Sequence, residues 1–146
     1  MKFRRGWMPT TIAKGADAAA NTNTTFTSFW RAPCDCEIIE GHMWSPAGTV
    51  TANDSNYATI ALQKVDGVGG SAVAIGSITT KLAASGGTGD WAANVPVGMD
   101  MSHNHGLDVL QGELVGYVIT KSNGVGVSIP SSIIEVTFRP HRKMIG

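Results

Sequence analysis

The sequence predicts an all-β protein built as a single antiparallel β-sandwich, jelly-roll-like, with an extended N-terminal arm. Three observations carry that expectation. Apolar and polar residues alternate over short segments at the strand period of two; Gly, Pro, Asn, Asp and Ser cluster between them; and no stretch holds a helical apolar spacing long enough to compete. The clearest segments are residues 34–40 ahead of Gly41, 57–65 ahead of Asp66 and Gly67, and 133–138 ahead of Arg139 and Pro140. At 146 residues the chain fits one compact domain with a real core, and its 18 glycines imply many turns or close backbone approaches.

Residues 1–23 stand apart, because the run GADAAANTNTT is small and polar and offers little to bury. They are expected to form the arm, with residues 24–140 as the sandwich and 141–146 as a basic tail. A first strand is expected from Thr24 through Phe29 and Trp30, ending at Ala32 and Pro33, since Pro is confined to strand starts and edges. Next, Cys34, Cys36 and Ile38 share one face and Asp35 and Glu37 the other, until the doublet Ile38 and Ile39 breaks the alternation and predicts a bulge. A turn at residues 45–48 leads to the segment TVTANDSNY, rich in residues that bond their own backbone. Ala58, Ile60 and Leu62 then face inward, against Thr59, Gln63 and Lys64 outward.

The run DGVGGSA reads as a hairpin or connection into a weaker strand at 73–80 containing Gly76, and AASGGTGDW as a loop. Val95, Val97, Met99 and Met101 recur at even spacing and predict one apolar row on a strand, with Pro96 requiring an edge. A turn at Gln111, Gly112 and Glu113 precedes residues 114–120, apolar on both faces as in the centre of a packed sandwich. KSNGVG reads as a hairpin with Asn123 and Gly124 suited to positive φ. The final strand buries Ile134, Val136 and Phe138 and exposes Glu135, Thr137 and Arg139. Eight or nine strands with turns every eight to twelve residues indicate a sandwich rather than a propeller.

Eleven Lys and Arg balance eleven Asp and Glu, so no net basic field attracts nucleic acid. The cations are unevenly placed: Lys2, Arg4 and Arg5 open the chain, and Arg139, Arg142 and Lys143 close it. The two cysteines, Cys34 and Cys36, sit on one strand face about 6–7 Å apart at Cα, where a disulfide would strain the backbone. They read as small buried hydrophobes of a reducing cytoplasm. No apolar run after the basic start is long enough for a signal peptide or a membrane anchor.

Reactive constellations are weak. His103 and His105 could share a strand face with Asp100 or Asp108 as metal ligands, but they read as an exposed polar loop. Asn53, Asp54, Ser55 and Asn56 offer oxygens without the spaced carboxylates of a calcium loop, so an Asx turn is expected. No nucleophile elbow, phosphate loop or metalloprotease helix occurs, and Asp35, Glu37, Glu40, Asp54 and Asp90 sit at outward or loop positions. The expectation is a binding or structural protein, not an enzyme, needing no cofactor or metal. Trp7, Trp30, Trp44 and Trp91 lie beside turns and read as seals of the core ends or of an oligomer interface; the alternative is stacking on sugars.

Two segments carry a family resemblance. Residues 31–70 contain the Ala32-Pro33 lead into Cys34 and Asp35, the Trp44-Ser45-Pro46 turn and the Asn53-to-Tyr57 stretch; residues 107–140 contain the Gly112-Glu113-Leu114 turn before a strand. They resemble the small virion proteins that decorate or cement the heads of tailed bacteriophages. The resemblance implies a β-sandwich made in the host bacterial cytoplasm and seated on the outer capsid surface. It further implies a homotrimer bridging neighbouring major capsid protein subunits, with neither nucleic acid nor membrane as partner. Its lattice contacts are expected at Lys2, Arg4, Arg5, Trp7, Met8, Arg139, Arg142 and Lys143, with Trp7 and Met8 as apolar anchors and the cations meeting acidic coat residues. The competing reading is a carbohydrate- or receptor-binding virion module using Trp44 and Trp91.

Overall fold

The computed structural model describes residues 8–15, 22–66, 68–102, 107–122 and 126–141. These residues are all-β. Ten strands follow in chain order: β1 (Met8–Lys14), β2 (Thr27–Arg31), β3 (Cys36–Trp44), β4 (Ala58–Val65), β5 (Val73–Thr79), β6 (Val97–Gly98), β7 (Asp100–Met101), β8 (Leu107–Val109), β9 (Leu114–Lys121) and β10 (Ser132–Pro140). One sheet runs β1-β10-β3-β6, with β8 beside β6 on the same edge of β3; the other runs β2-β9-β4-β5-β7. Every pairing is antiparallel. The chain changes sheet at every step from β1 to β4, pairs β4 with β5 in a hairpin, and then changes sheet again at each strand. That winding, β1-β10-β3-β6 over β2-β9-β4-β5, is the jelly roll the pattern suggested.

Period-two alternation places the core. Ala58, Ile60 and Leu62 of β4 face Lys121, Ile119 and Tyr117 of β9 in register, while Ile134, Val136 and Phe138 fill the opposite sheet's inner face. Ile38, Ile60, Leu62, Ile119 and Ile134 are fully buried, each contributing on the order of 1.5–3 kcal/mol. Trp30 of β2 stacks on Phe138 of β10 across the layers, ring centroids 4.6 Å apart. Gly41 lets the sheets close: a Cβ there would stand 2.9 Å from Leu62 Cδ1 and 3.0 Å from Met99 Sδ. The bulge expected at the isoleucine doublet is present, since Glu40 opposes Thr137 and Ile38 opposes Phe138, leaving Ile39 unmatched.

Four expectations are corrected. Residues 8–14 are not arm but β1, paired along its length with β10 from Met8–Phe138 to Lys14–Ser132; pairing with the far end of the chain supplies the burial that local composition lacks. The strand beginning at Thr27 is therefore the second. The apolar row at 95–101 is divided: β6 joins one sheet and β7 the other, with Met99 buried between them and Val95 left exposed. The segment after Lys121 is not a hairpin, because β9 and β10 belong to different sheets; Asn123 and Gly124 lie outside the described residues.

Candidate interaction surface

Polar side chains concentrate at the two ends of the sandwich. At one end β3 begins, β4 ends and β8 leads into the turn before β9. Lys64, expected to face outward, instead shares the inward face with Ala58, Ile60 and Leu62, paired with buried Val115; it reaches Glu113 Oε2 at 3.0 Å and donates to the Asp108 carbonyl at 2.8 Å. Glu113 also accepts the Leu110 N–H at 2.8 Å, and Asp35 Oδ1 accepts that of Gln111 at 2.8 Å. His141 closes the set, its N–H on the Asp35 carbonyl at 2.9 Å and its Nε2 3.0 Å from Asp108 Oδ1. These contacts clamp β8 and the 110–113 turn against the sheets. Cys36 sits beneath them fully buried, and burial first, then the negative potential of Cys34, Asp35, Asp108 and Glu113, pushes its thiol up to about 11. It stays protonated near neutrality and is a packing group, not a nucleophile.

The other end is built from the loops 45–57, 80–96 and 126–131. Asn53 Oδ1 accepts the N–H groups of Ser55 and Asn56 at 2.8 Å each, the expected Asx turn. Asp54 accepts the Leu82 N–H at 3.1 Å and the Ser85 hydroxyl at 2.6 Å, fixing a 3-10 turn at Ala83–Ser85. Asp90 Oδ1 takes the Ala52 N–H at 2.7 Å, and Ser122 Oγ bridges Tyr57 N and Ser55 O. Each carboxylate therefore serves a loop backbone. Beside them Ser45, Pro46, Ala47, Gly48, Pro130 and Ser131 line a shallow, open, mostly apolar recess of about 320 Å³.

Of the expected contact residues, Met8 begins β1 opposite Phe138 and is 48% exposed. Arg139, half-exposed on β10, is paired with Glu37 of β3, so its charge is shared with a neighbour before any partner arrives. Lys2, Arg4, Arg5, Trp7, Arg142 and Lys143 lie outside the described residues, as do His103 and His105. The structure thus brings Met8 and Arg139 onto the adjacent strands β1 and β10.

The tryptophans divide by role. Trp91 is buried and donates its indole N–H to Thr88 Oγ1 at 2.8 Å, which closes it to a sugar. Trp30 seals the core on Phe138. Trp44 is half-buried, with Ile133 beside it on β10. Sequence reasoning missed β1, although Met8, Thr10 and Ile12 alternate with Pro9, Thr11 and Ala13; the polar run behind them masked the signal. It also missed the Lys64–Glu113 pair, which no spacing marks. Among the described residues, no three His, Cys, Asp or Glu side chains group closely enough to hold a metal ion.

The described residues thus define a jelly-roll sandwich with hydrogen-bonded ends. No family model, curated protein or solved structure matches the chain.

Proposed function

We propose that this chain is a structural virion protein that binds the outer surface of a tailed-bacteriophage capsid and cements neighbouring major capsid subunits. The observation that carries the reading is the use of polar side chains. In both end networks they are bonded to the protein's own backbone, as suits a rigid body that presents surface to other proteins. The two segments that resemble head-decorating proteins, 31–70 and 107–140, supply the central strands β3 and β10 of one sheet and β4 and β9 of the other. A rigid module touching several coat subunits strengthens a lattice because separating those subunits must also break the module's contacts, and several modest contacts multiply in effect.

Met8 and Arg139 are the described residues assigned to that contact. The test is addition of the purified full chain to heads that lack it, with bound copies counted against the major capsid protein. Saturable binding in hundreds of copies per head, raising the temperature or force at which heads rupture, is the expected result. Absence of binding, or a few copies confined to a tail, overturns the reading.

A further inference from the structure

We propose that the open edge of β1 pairs with the β1 strand of a second copy, joining two sandwiches through one continuous sheet. The inference is independent of the capsid reading and rests on backbone direction. Met99 donates its N–H to the Gly41 carbonyl at 2.8 Å, so Gly41 turns its backbone groups toward β6. Alternate residues of a strand inside an antiparallel sheet bond to opposite neighbours. Glu40, His42 and Trp44 therefore bond toward β10, onto Thr137, Glu135 and Ile133. The alternate set of β10, Ser132, Ile134, Val136 and Phe138, bonds toward β1, onto Lys14, Ile12, Thr10 and Met8. That leaves Pro9, Thr11 and Ala13 with their backbone groups directed out of the sheet.

Pro9 agrees independently, since proline in an edge strand places its missing N–H on the open side. Among the described residues, no loop backbone is bonded to the Thr11 or Ala13 N–H groups. The edge is self-complementary. Turned about a two-fold axis through Thr11, two β1 strands run antiparallel with Thr11 opposite the partner's Thr11 and Pro9 opposite the partner's Ala13. Each Thr11 N–H then meets a Thr11 carbonyl, and each Ala13 N–H meets a Pro9 carbonyl, so every outward donor is satisfied. Thr–Thr is a favourable cross-strand pair, and Lys14 falls opposite the partner's Met8, so no like charges face each other. The same register covers exposed Met8.

A two-fold edge pairing is isologous and closes at two copies, so a trimer cannot be built through it. Its size sets its strength. Seven residues span about 24 Å, and a sandwich edge roughly 20 Å deep gives about 500 Å² per copy, below the roughly 800 Å² per partner of standard stable interfaces. The dimer is therefore concentration-dependent.

Sedimentation equilibrium of the full chain across roughly 1 µM to 1 mM tests it. The expected result is a mass rising from 15.3 kDa toward twice that value. Thr11→Pro and Ala13→Pro remove outward donors only; each keeps the fold and melting temperature measured at about 1 µM and weakens dimerisation at least tenfold, by about 1.4 kcal/mol. Thr10→Pro, which faces β10, lowers the melting temperature instead. In the wild type, amide exchange at Thr11 and Ala13 slows as concentration rises, a readout that needs no variant. A wild type that stays monomeric at about 1 mM, a discrete trimer, edge variants that both dimerise as tightly as the wild type, or exchange at Thr11 and Ala13 indifferent to concentration overturns the proposal.

Discussion

Gly116→Ala tests how tightly the edge strand β2 is seated on β9. A Cβ at Gly116 would lie 2.4 Å from the Thr27 carbonyl oxygen and 2.7 Å from Phe26 Cζ. The ring can rotate away, but the carbonyl belongs to the strand opposite, so β2 must retreat by about 1 Å to reach ordinary contact. Overpacking of this kind costs about 1–3 kcal/mol, offset in part by the roughly 0.5–1 kcal/mol that alanine gains over glycine in a strand. A net loss of about 1 kcal/mol lowers the melting temperature by about 2–4 °C for a domain of this size. Thermal unfolding followed by circular dichroism measures it. The double variant with Phe26→Ala separates the two obstacles: removing the ring leaves the carbonyl in place, so at least half of the Gly116→Ala penalty persists. A variant that melts at or above the wild-type temperature, or a penalty that vanishes without the ring, refutes the assignment to backbone.

Other expectations follow from the two ends of the sandwich. Cys36 holds its proton to about 11 in the fold against an ordinary thiol value of 9.0, so the unfolded chain ionises first. Its contribution is constant below about pH 9 and is lost as pH climbs toward 11, by up to roughly 3 kcal/mol; the stability difference between wild type and Cys36→Ala measured by urea titration should shrink over that window, and a flat difference contradicts it. Glu113→Ala strands Lys64 and the Leu110 N–H at a site where both partners are about 15% exposed; a loss of roughly 1–3 kcal/mol in chemical denaturation is expected, and one below about 0.5 would show the clamp to be inert. Asp54→Ala frees the 3-10 turn from the 53–56 loop, and limited proteolysis should move to residues 82–86 while the core's melting temperature falls by only a few degrees.

Much of the fold was legible because its signal is local. Alternation at 58–62 and 134–138 states which face is inward without knowing what lies opposite, and the paired isoleucines at 38 and 39 announce a bulge because two apolar side chains cannot both point inward on a regular strand. Where the outcome depends on a distant partner, the reading failed. Residues 8–14 become a strand only because residues 132–138 lie beside them, and residues 97–101 divide between sheets because Gly41 and Gly76 each leave room for a short neighbour. The charged end was illegible for the same reason: Lys64, the Asp108-to-Glu113 stretch and His141 come from three separate parts of the chain and meet only once the sheets close. For Trp91, read as a seal of the core end with sugar stacking as the alternative, the bond to Thr88 shows the loop folded inward over the ring.

The place of β10 at the middle of its sheet, between β1 and β3, has a bearing on biogenesis. Made after every other described strand, β10 is the one that both β1 and β3 require, so β1 has no strand beside it until residues 132–140 are synthesised. Until then β1 and β3 lack the strand that joins them, and unpaired strand edges of this kind are where partly folded chains associate. A premature stop ahead of Ser132 would delete the keystone of that layer, whereas the same number of residues lost from a peripheral loop would not.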